Sequence, residues 1–395
     1  MTDLRPSRQR AAELDAADPL ADRRALFALP DGVAYFDGNS LGPRPHAAGR
    51  AVNAVLDGTW GTGLIRSWKE ADWLRLPFAT GDRIAPLIGA PPGSVVACDT
   101  TSANLFKALS AAVALRPGRT RLVVDADDFP TDRYVAASVA DQHGLELVAV
   151  PAARLADALD RQVAVLTATH VDYRSAAILD AAGLTAAAHD VGALVVWDLA
   201  HTAGAVPIDV TAVGVDLAVG CGYKYLNGGP GAPAFVYAHP SLQDEVRQPL
   251  SGWFGHADPF AFEPDFRPAR GIARFLCGTT GVLGMASLHA ALEVFDGVPM
   301  AAVRAKSVSL TSLFVELVRD ALSSSGFGLA SPADATQRGS HVALSHPDGE
   351  AVVERLAARG IMADFRPPDL LRFGFAPMFN THVEVVDLVE ALAAV

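Results

Sequence analysis

Two short segments carry side chains that can do chemistry together. Asp198-Leu199-Ala200-His201 closes the apolar run 193–197, and Gly222-Tyr223-Lys224-Tyr225-Leu226-Asn227-Gly228-Gly229 follows the apolar run 217–219. Ligands of an open parallel sheet bind beyond the carboxyl ends of its strands, which is where this acid, imidazole and amine fall. Taken singly, a lysine is usually a solvated charge and an aspartate after a strand is usually a helix cap. Together, beside a glycine-rich flank, they suggest a site. A lysine amine forms Schiff bases with carbonyl carbons, and a carboxylate can keep an aromatic ring nitrogen protonated.

Two further segments extend the set. Asp99-Thr100-Thr101-Ser102-Ala103-Asn104 precedes the helical stretch 105–115. Hydroxyls and free backbone N–H groups at a helix start attract an anion, although the plain reading of such a motif is an N-cap. Phe129, in Asp128-Phe129-Pro130-Thr131-Asp132 just beyond the run 121–124, offers an aromatic face that would otherwise belong to the core. Amine, carboxylate, anion cradle and ring face are what pyridoxal phosphate requires of a protein.

The elements that must position these groups are legible as a pattern. Strand-like runs at 121–124, 145–150, 163–167, 193–197, 217–219 and 234–237 alternate with helix-length segments at 104–115, 132–143 and 180–191. This alternation predicts βαβ units and a mostly parallel sheet flanked by helices, an α/β fold. Residues 7–27 read as one short polar helix, 283–295 and 300–323 as helices, and 341–344, 349–359, 370–375 and 383–392 as a small C-terminal α+β domain. The expected division is 1–60 as an N-terminal segment serving the small domain and the site rim, 61–290 as the large cofactor-binding domain, and 291–395 as the small domain.

Composition narrows the function classes. Of 395 residues 50% are hydrophobic and 19% charged, which excludes a wholly disordered or coiled-coil chain. The 44 acidic and 32 basic residues give a formal charge of −12, unsuited to phosphate backbones or anionic lipid. Cys98, Cys221 and Cys277 form no CxxC pair, so neither a disulfide framework nor a zinc ribbon is expected, and no metal site. The opening MTDLRPSRQR has charge but no apolar core, and no apolar run reaches membrane-spanning length. The expectation is a soluble cytoplasmic protein with no nucleic-acid or membrane partner.

Over nearly its whole length the chain resembles the kynureninases, pyridoxal-phosphate enzymes of fold type I in the class V aminotransferase group. The resemblance is carried by Tyr35-Phe36-Asp37-Gly38-Asn39-Ser40-Leu41-Gly42, by Leu64-Ile65-Arg66-Ser67-Trp68 in the bacterial style, and by Phe129-Pro130-Thr131-Asp132. Trp197-Asp198-Leu199-Ala200-His201, Tyr223-Lys224-Tyr225-Leu226-Asn227, Gly252-Trp253-Phe254-Gly255-His256 and Leu371-Arg372-Phe373 complete it. Asp-Leu-Ala-His with a later lysine marks only the wider class V group, whereas the motifs around Asn39, Lys224 and Trp253 are specific.

The resemblance implies roles. Lys224 carries the cofactor as a Schiff base and shuttles the substrate α-proton; Asp198 pairs with the pyridine nitrogen, His201 lies beside the ring, Phe129 stacks on it and Asp132 is a polar neighbour. Thr101 and Ser102 hold the phosphate with the hydroxyl of Tyr223, which is also the candidate proton donor. Trp253 and Thr279 reach the phosphate from the neighbouring subunit of a homodimer with shared sites. Arg372 clamps the substrate α-carboxylate with a bidentate fork, the Asn39-Ser40 backbone completing that pocket.

The implied reaction is hydrolytic Cβ–Cγ cleavage of L-kynurenine to anthranilate and L-alanine, in tryptophan catabolism. The residues do not single out the group that activates water. Three alternatives stand beside it. One is the same mechanism on 3-hydroxykynurenine or another substituted kynurenine in a secondary-metabolite pathway. Another is a class V aminotransferase or cysteine desulfurase, although a desulfurase needs a catalytic cysteine in a late loop and the last here is Cys277. The third is a non-catalytic relative, which the joint presence of Lys224, Asp198 and Arg372 disfavours. Gly278-Thr279-Thr280 lacks the asparagine amide of the animal enzymes that favour 3-hydroxykynurenine, so unsubstituted kynurenine is the expected substrate.

Overall fold

The strands that carry the chemistry form one sheet in the computed structural model, which describes residues 4–395. The charged opening read in the sequence starts with residues 1–3, which lie outside the described residues. The sheet has seven strands in the order Val95–Cys98, Ala234–Ala238, Leu217–Gly220, Leu194–Asp198, Val163–Thr169, Arg121–Asp125, Glu146–Val150. The last five run parallel to one another, and Ala234–Ala238 runs antiparallel to both of its neighbours. Val95–Cys98 therefore points the same way as the parallel strands, and its carboxyl end opens on the same edge of the sheet.

Most central strands are buried along their full length, as a sheet covered on both faces requires. Alternation then sorts their side chains. Val195 and Trp197 pack into one hydrophobic cluster, whereas Leu194 and Val196 pack into the cluster on the other face. The helix Thr101–Ala114 lies across the second face, burying Leu105, Ala108, Leu109 and Ala112.

The C-terminal region builds a four-stranded antiparallel sheet in the order Asp364–Arg366, Leu370–Gly374, His341–Ser345, Gly328–Leu329. The helices Met300–Ala321 and His382–Ala393 close its own core around Phe314, Phe373 and Val386. Ala34–Tyr35 pairs in parallel with Ile361–Met362, and Gly374 N donates to Phe36 O. An early segment of chain is thus stitched to the small sheet.

The structure corrects the sequence reading in three places. Val95–Cys98 is a seventh strand, missed because four apolar residues carry no periodicity of their own. The polar segment read as one helix is two, Arg5–Ala16 and a 3-10 turn Ala21–Leu26. Between them Asp18 caps Leu20 N at 2.9 Å and meets the buried Lys306 ammonium at 2.6 Å, a long-range contact that overrides local helix propensity. The helix expected from residue 105 starts at Thr101.

Candidate active site

That earlier helix start places the anion cradle. Thr100 is the N-cap, its Oγ1 accepting from Ala103 N at 3.2 Å, so Thr101 and Ser102 occupy the first turn. Their amides are among those an α-helix leaves without an intrahelical partner, at the positive end of its dipole. The Thr101 hydroxyl is buried and has no hydrogen-bond partner.

Thr101 and Ser102 line a cleft of about 160 Å³ together with Phe129, Asp132, Asp198, His201, Tyr223 and Lys224. These eight predicted residues come from the carboxyl ends of four strands and the loops that follow them. Asp198 terminates its strand, and Ala200 N donates to its Oδ1 at 2.5 Å. Lys224 sits in the loop after Leu217–Gly220, and Gly42 N donates to Tyr223 O at 2.7 Å. Gly42 has to be glycine: a Cβ there would lie 2.3 Å from both Lys224 O and Asn227 Oδ1. The Asp37–Gly42 segment thereby locks the lysine loop.

Charge in the cleft is unbalanced. Burial pushes the Asp198 carboxyl up, opposed by the Lys224 ammonium and the Ala200 N–H. Asp132 is pushed well above the usual carboxylate range by burial and then by Asp198 and Asp128. Asp128 is raised to about 7 by burial, although Phe129 N at 2.8 Å and Thr169 both donate to it. The His201 imidazole is held neutral by burial and by the nearby Lys224, His341 and Arg372. Its Nε2 is buried without a partner. Tyr223 keeps its proton up to about 12, chiefly through burial.

These features fit pyridoxal phosphate. A protonated pyridine nitrogen would supply a second cation beside Lys224 for the three carboxyl groups, and the unpartnered Thr101 hydroxyl and free first-turn amides suit a phosphate. Phe129 is 42% exposed at the cleft and meets Tyr173 edge-on at 5.1 Å, leaving ring surface for a planar ligand. Among the described residues no group of three or more His, Cys, Asp or Glu side chains could hold a metal ion.

Arg372, Asn39 and Ser40 lie outside the lining of this cleft, with Arg372 bonded to the cleft-lining Tyr173. The Arg372 guanidinium, 2% exposed, is engaged side-on by Asp364: Nε donates to Oδ1 at 2.8 Å and Nη2 to Oδ2. Nη1 donates to Tyr173 O, and Nη2 also to Ser40 Oγ at 3.0 Å. The Ser40 hydroxyl in turn donates to Asp364 Oδ2 at 2.7 Å, and Asn39 is buried with both side-chain amide atoms unpartnered. Trp253 and Thr279 also lie apart from the cleft, joined by a hydrogen bond from Trp253 Nε1 to Thr279 Oγ1 at 3.3 Å.

Sequence reasoning missed Thr169, Tyr173, His341 and Asp364. Running the strand 163–167 two residues further would have put Thr169 at a strand end. Nothing local marks the other three, since His341 and Asp364 come from the small sheet and approach only through the fold.

Residues 303–392 match the family model of the kynureninase C-terminal domain. The chain is 49% identical to a kynureninase of Pseudomonas fluorescens over 390 residues, 97% of this chain and 94% of that protein. It is 47% identical to a Burkholderia pseudomallei kynureninase, over 98% of this chain and 94% of that one. In fold it is similar to the cysteine desulfurase CsdA from Escherichia coli, with TM-score 0.79, 24% identity, and coverage of 94% and 97%. It is likewise similar to a C-DES variant carrying glycine covalently linked to the PLP cofactor, with TM-score 0.81, 19% identity, and coverage of 94% and 98%. The structural likenesses bear on the fold; near-half identity over almost the whole length bears on kinship, and by it the chain belongs to the kynureninase family.

Proposed function

We propose that the chain hydrolyses the Cβ–Cγ bond of L-kynurenine to anthranilate and L-alanine with pyridoxal phosphate bound at Lys224. The observation that carries this is the convergence of Lys224, Asp198 and the Thr101 helix start on one cleft, in a chain with 49% identity to a kynureninase. When bound, the cofactor supplies an electrophilic carbon for the substrate amine and a sink for electrons released at Cα. Lys224 would hold it through its amine and would take up the substrate α-proton. Asp198 would accept the pyridine N–H and keep that nitrogen protonated, with the Asp132 carboxyl, pushed up by burial, lining the same cleft. Phe129 would cover the ring face, and His201, held neutral by burial, would lie beside it. Thr101, Ser102 and the Tyr223 hydroxyl hold the phosphate. Tyr223, still protonated at neutral pH, returns a proton to the β-carbon after cleavage. Arg372 orients the substrate through its α-carboxylate, because a misaligned Cα–H bond would favour side reactions.

The working form is a homodimer in which Trp253 and Thr279 serve the neighbouring subunit's phosphate site. Their separation from their own cleft, on a face that also exposes Phe260, Phe262 and Phe266, supports this. The setting is tryptophan breakdown in the cytoplasm; among the described residues no helix is long and apolar enough to cross a membrane. Incubating the purified holoenzyme with L-kynurenine tests the reading. Appearance of anthranilate fluorescence with equimolar L-alanine is expected, and its absence with cofactor bound would overturn it.

A further inference from the structure

We infer that Asp364 is a positioning residue for substrate binding, holding the side-on edge of the Arg372 guanidinium so that its end-on edge is presented to the substrate α-carboxylate. The inference rests on the reading of Arg372 as the carboxylate ligand. The strands Asp364–Arg366 and Leu370–Gly374 pair in a register that sets Asp364 directly opposite Arg372. Side chains directly opposed across an antiparallel pair have Cβ atoms about 5 Å apart, within reach of one another. Nε donates to Asp364 Oδ1 at 2.8 Å and Nη2 to Oδ2, the parallel two-bond geometry a carboxylate prefers.

The donor count then limits what a substrate can find. A guanidinium has five N–H bonds. Two go to Asp364, one to Tyr173 O and one to Ser40 Oγ, leaving a single free N–H, on Nη1. Tyr173 also lines the cofactor cleft, so its backbone carbonyl ties that nitrogen to a cleft-lining residue. An incoming carboxylate takes the free Nη1 proton and gains a second bond when the neutral Ser40 hydroxyl gives up Nη2. Ser40 has another partner, donating to Asp364 Oδ2 at 2.7 Å.

Asp364 could have cancelled the charge that attracts the substrate. Arg366 offsets this, with Nη2 at 2.9 Å from Asp364 Oδ2. Two arginines therefore face Asp364 and Asp37, and because burial disfavours the Asp37 charge, positive charge remains for a substrate carboxylate. A flexible arginine would lose orientation entropy on each binding event, and one already clamped on its far edge does not.

A double-mutant cycle on the holoenzyme, read by spectral titration with L-alanine and by steady-state kinetics with L-kynurenine, tests this. Asp364→Ala is expected to raise both the L-alanine Kd and KM by about ten-fold or more while kcat changes less. Asp364→Asn, which keeps one acceptor for Nε–H, should fall between it and the parent. In an Arg372→Ala background, Asp364→Ala should add nothing further. Ethylamine, which lacks a carboxylate, should bind the parent and Asp364→Ala alike. The positioning role is overturned if Arg372→Ala weakens L-alanine while Asp364→Ala and Asp364→Asn do not. It is equally overturned if Asp364→Ala costs as much without Arg372 as with it. An Arg372→Ala enzyme with unchanged L-alanine affinity removes the underlying reading instead.

Discussion

Around Lys224 three buried carboxylates, Asp128, Asp132 and Asp198, act on one another with that lysine as the cation among them. Around Asp364 two arginines face it, and Asp37 is the second carboxylate. In the first region burial wins and the carboxyl groups are pushed up. In the second, burial also works against the Asp364 charge, yet the hydrogen bonds and charge of Arg372 hold its carboxyl below the usual range. The cleft is therefore arranged for a cationic ring it does not itself contain, whereas the Arg372 guanidinium already has Asp364, Tyr173 O and Ser40 as partners within the fold. A site that binds a resident cofactor can leave charge unmatched; one that must orient each passing substrate gains from being rigid in advance.

Removing the one amine of the cleft should have the largest effect. Lys224→Ala should lower kcat/KM by roughly a thousand-fold or more, about 4 kcal/mol, and abolish borohydride-reducible attachment of the cofactor. A reducible link surviving in that variant would move the Schiff-base lysine elsewhere.

The arginine cluster should be less costly to disturb, but geometry should matter there as much as charge. Arg372→Lys retains the cation and loses the planar fork, so we expect a loss of ~2–4 kcal/mol in kcat/KM. Near-normal kinetics in Arg372→Lys would mean that positive charge alone suffices and that pre-orientation is not what distinguishes this region.

Asp37 sharpens the comparison through pH. Burial and then the neighbouring Asp364 push its carboxyl from 3.8 to about 6, and its Oδ1 is buried without a partner. The fold thus favours the protonated form. That stabilisation is complete below about pH 4 and is lost as pH rises through about 6. Asp37→Asn should be less pH-sensitive, gaining about 2–3 kcal/mol on the parent between pH 4 and pH 7 in denaturant or thermal unfolding. A parent-to-variant gap that stays constant with pH would show Asp37 to be ionised throughout.

The smallest effect expected is on substrate choice. With no amide in Gly278-Thr279-Thr280, a 3-hydroxyl on the substrate would give up water at a cost of ~1–3 kcal/mol. Unsubstituted L-kynurenine should be preferred by roughly ten-fold in kcat/KM, measured side by side. Preference for the hydroxylated substrate would place another polar group against the aryl ring.

The two regions also differ in how far they were legible. The cleft obeys a rule that local sequence exposes: apolar runs end, and polar residues immediately after them face one edge of the sheet. Asp198 and Lys224 follow directly, and six of the seven strands were found within two residues at either end. The rule fails at short or overrun strands, which is why Val95–Cys98 and Thr169 escaped it. The arginine cluster follows no such rule. Arg372 stood out through its apolar neighbours in Leu371-Arg372-Phe373, but its bond to Asp364 depends on the register of two strands joined by a short hairpin.

What the sequence by itself determined is the alternation of buried strands and amphipathic helices, the ends of six of the seven large-sheet strands to within two residues, and the order in which acid and amine follow them. Those features depend on side-chain periodicity and backbone capping, which act over a few residues. Only the tertiary structure decided that the Asp37–Gly42 segment closes on the lysine loop, that Asp364 fills one edge of Arg372, and that Trp253 and Thr279 stand apart from their own cleft. Gly42 and Lys224 are 182 residues apart in sequence, yet their contact leaves no room for a single methyl group. Contacts of that range are set by close packing of whole layers against one another, and no local pattern in the chain encodes which atoms will meet.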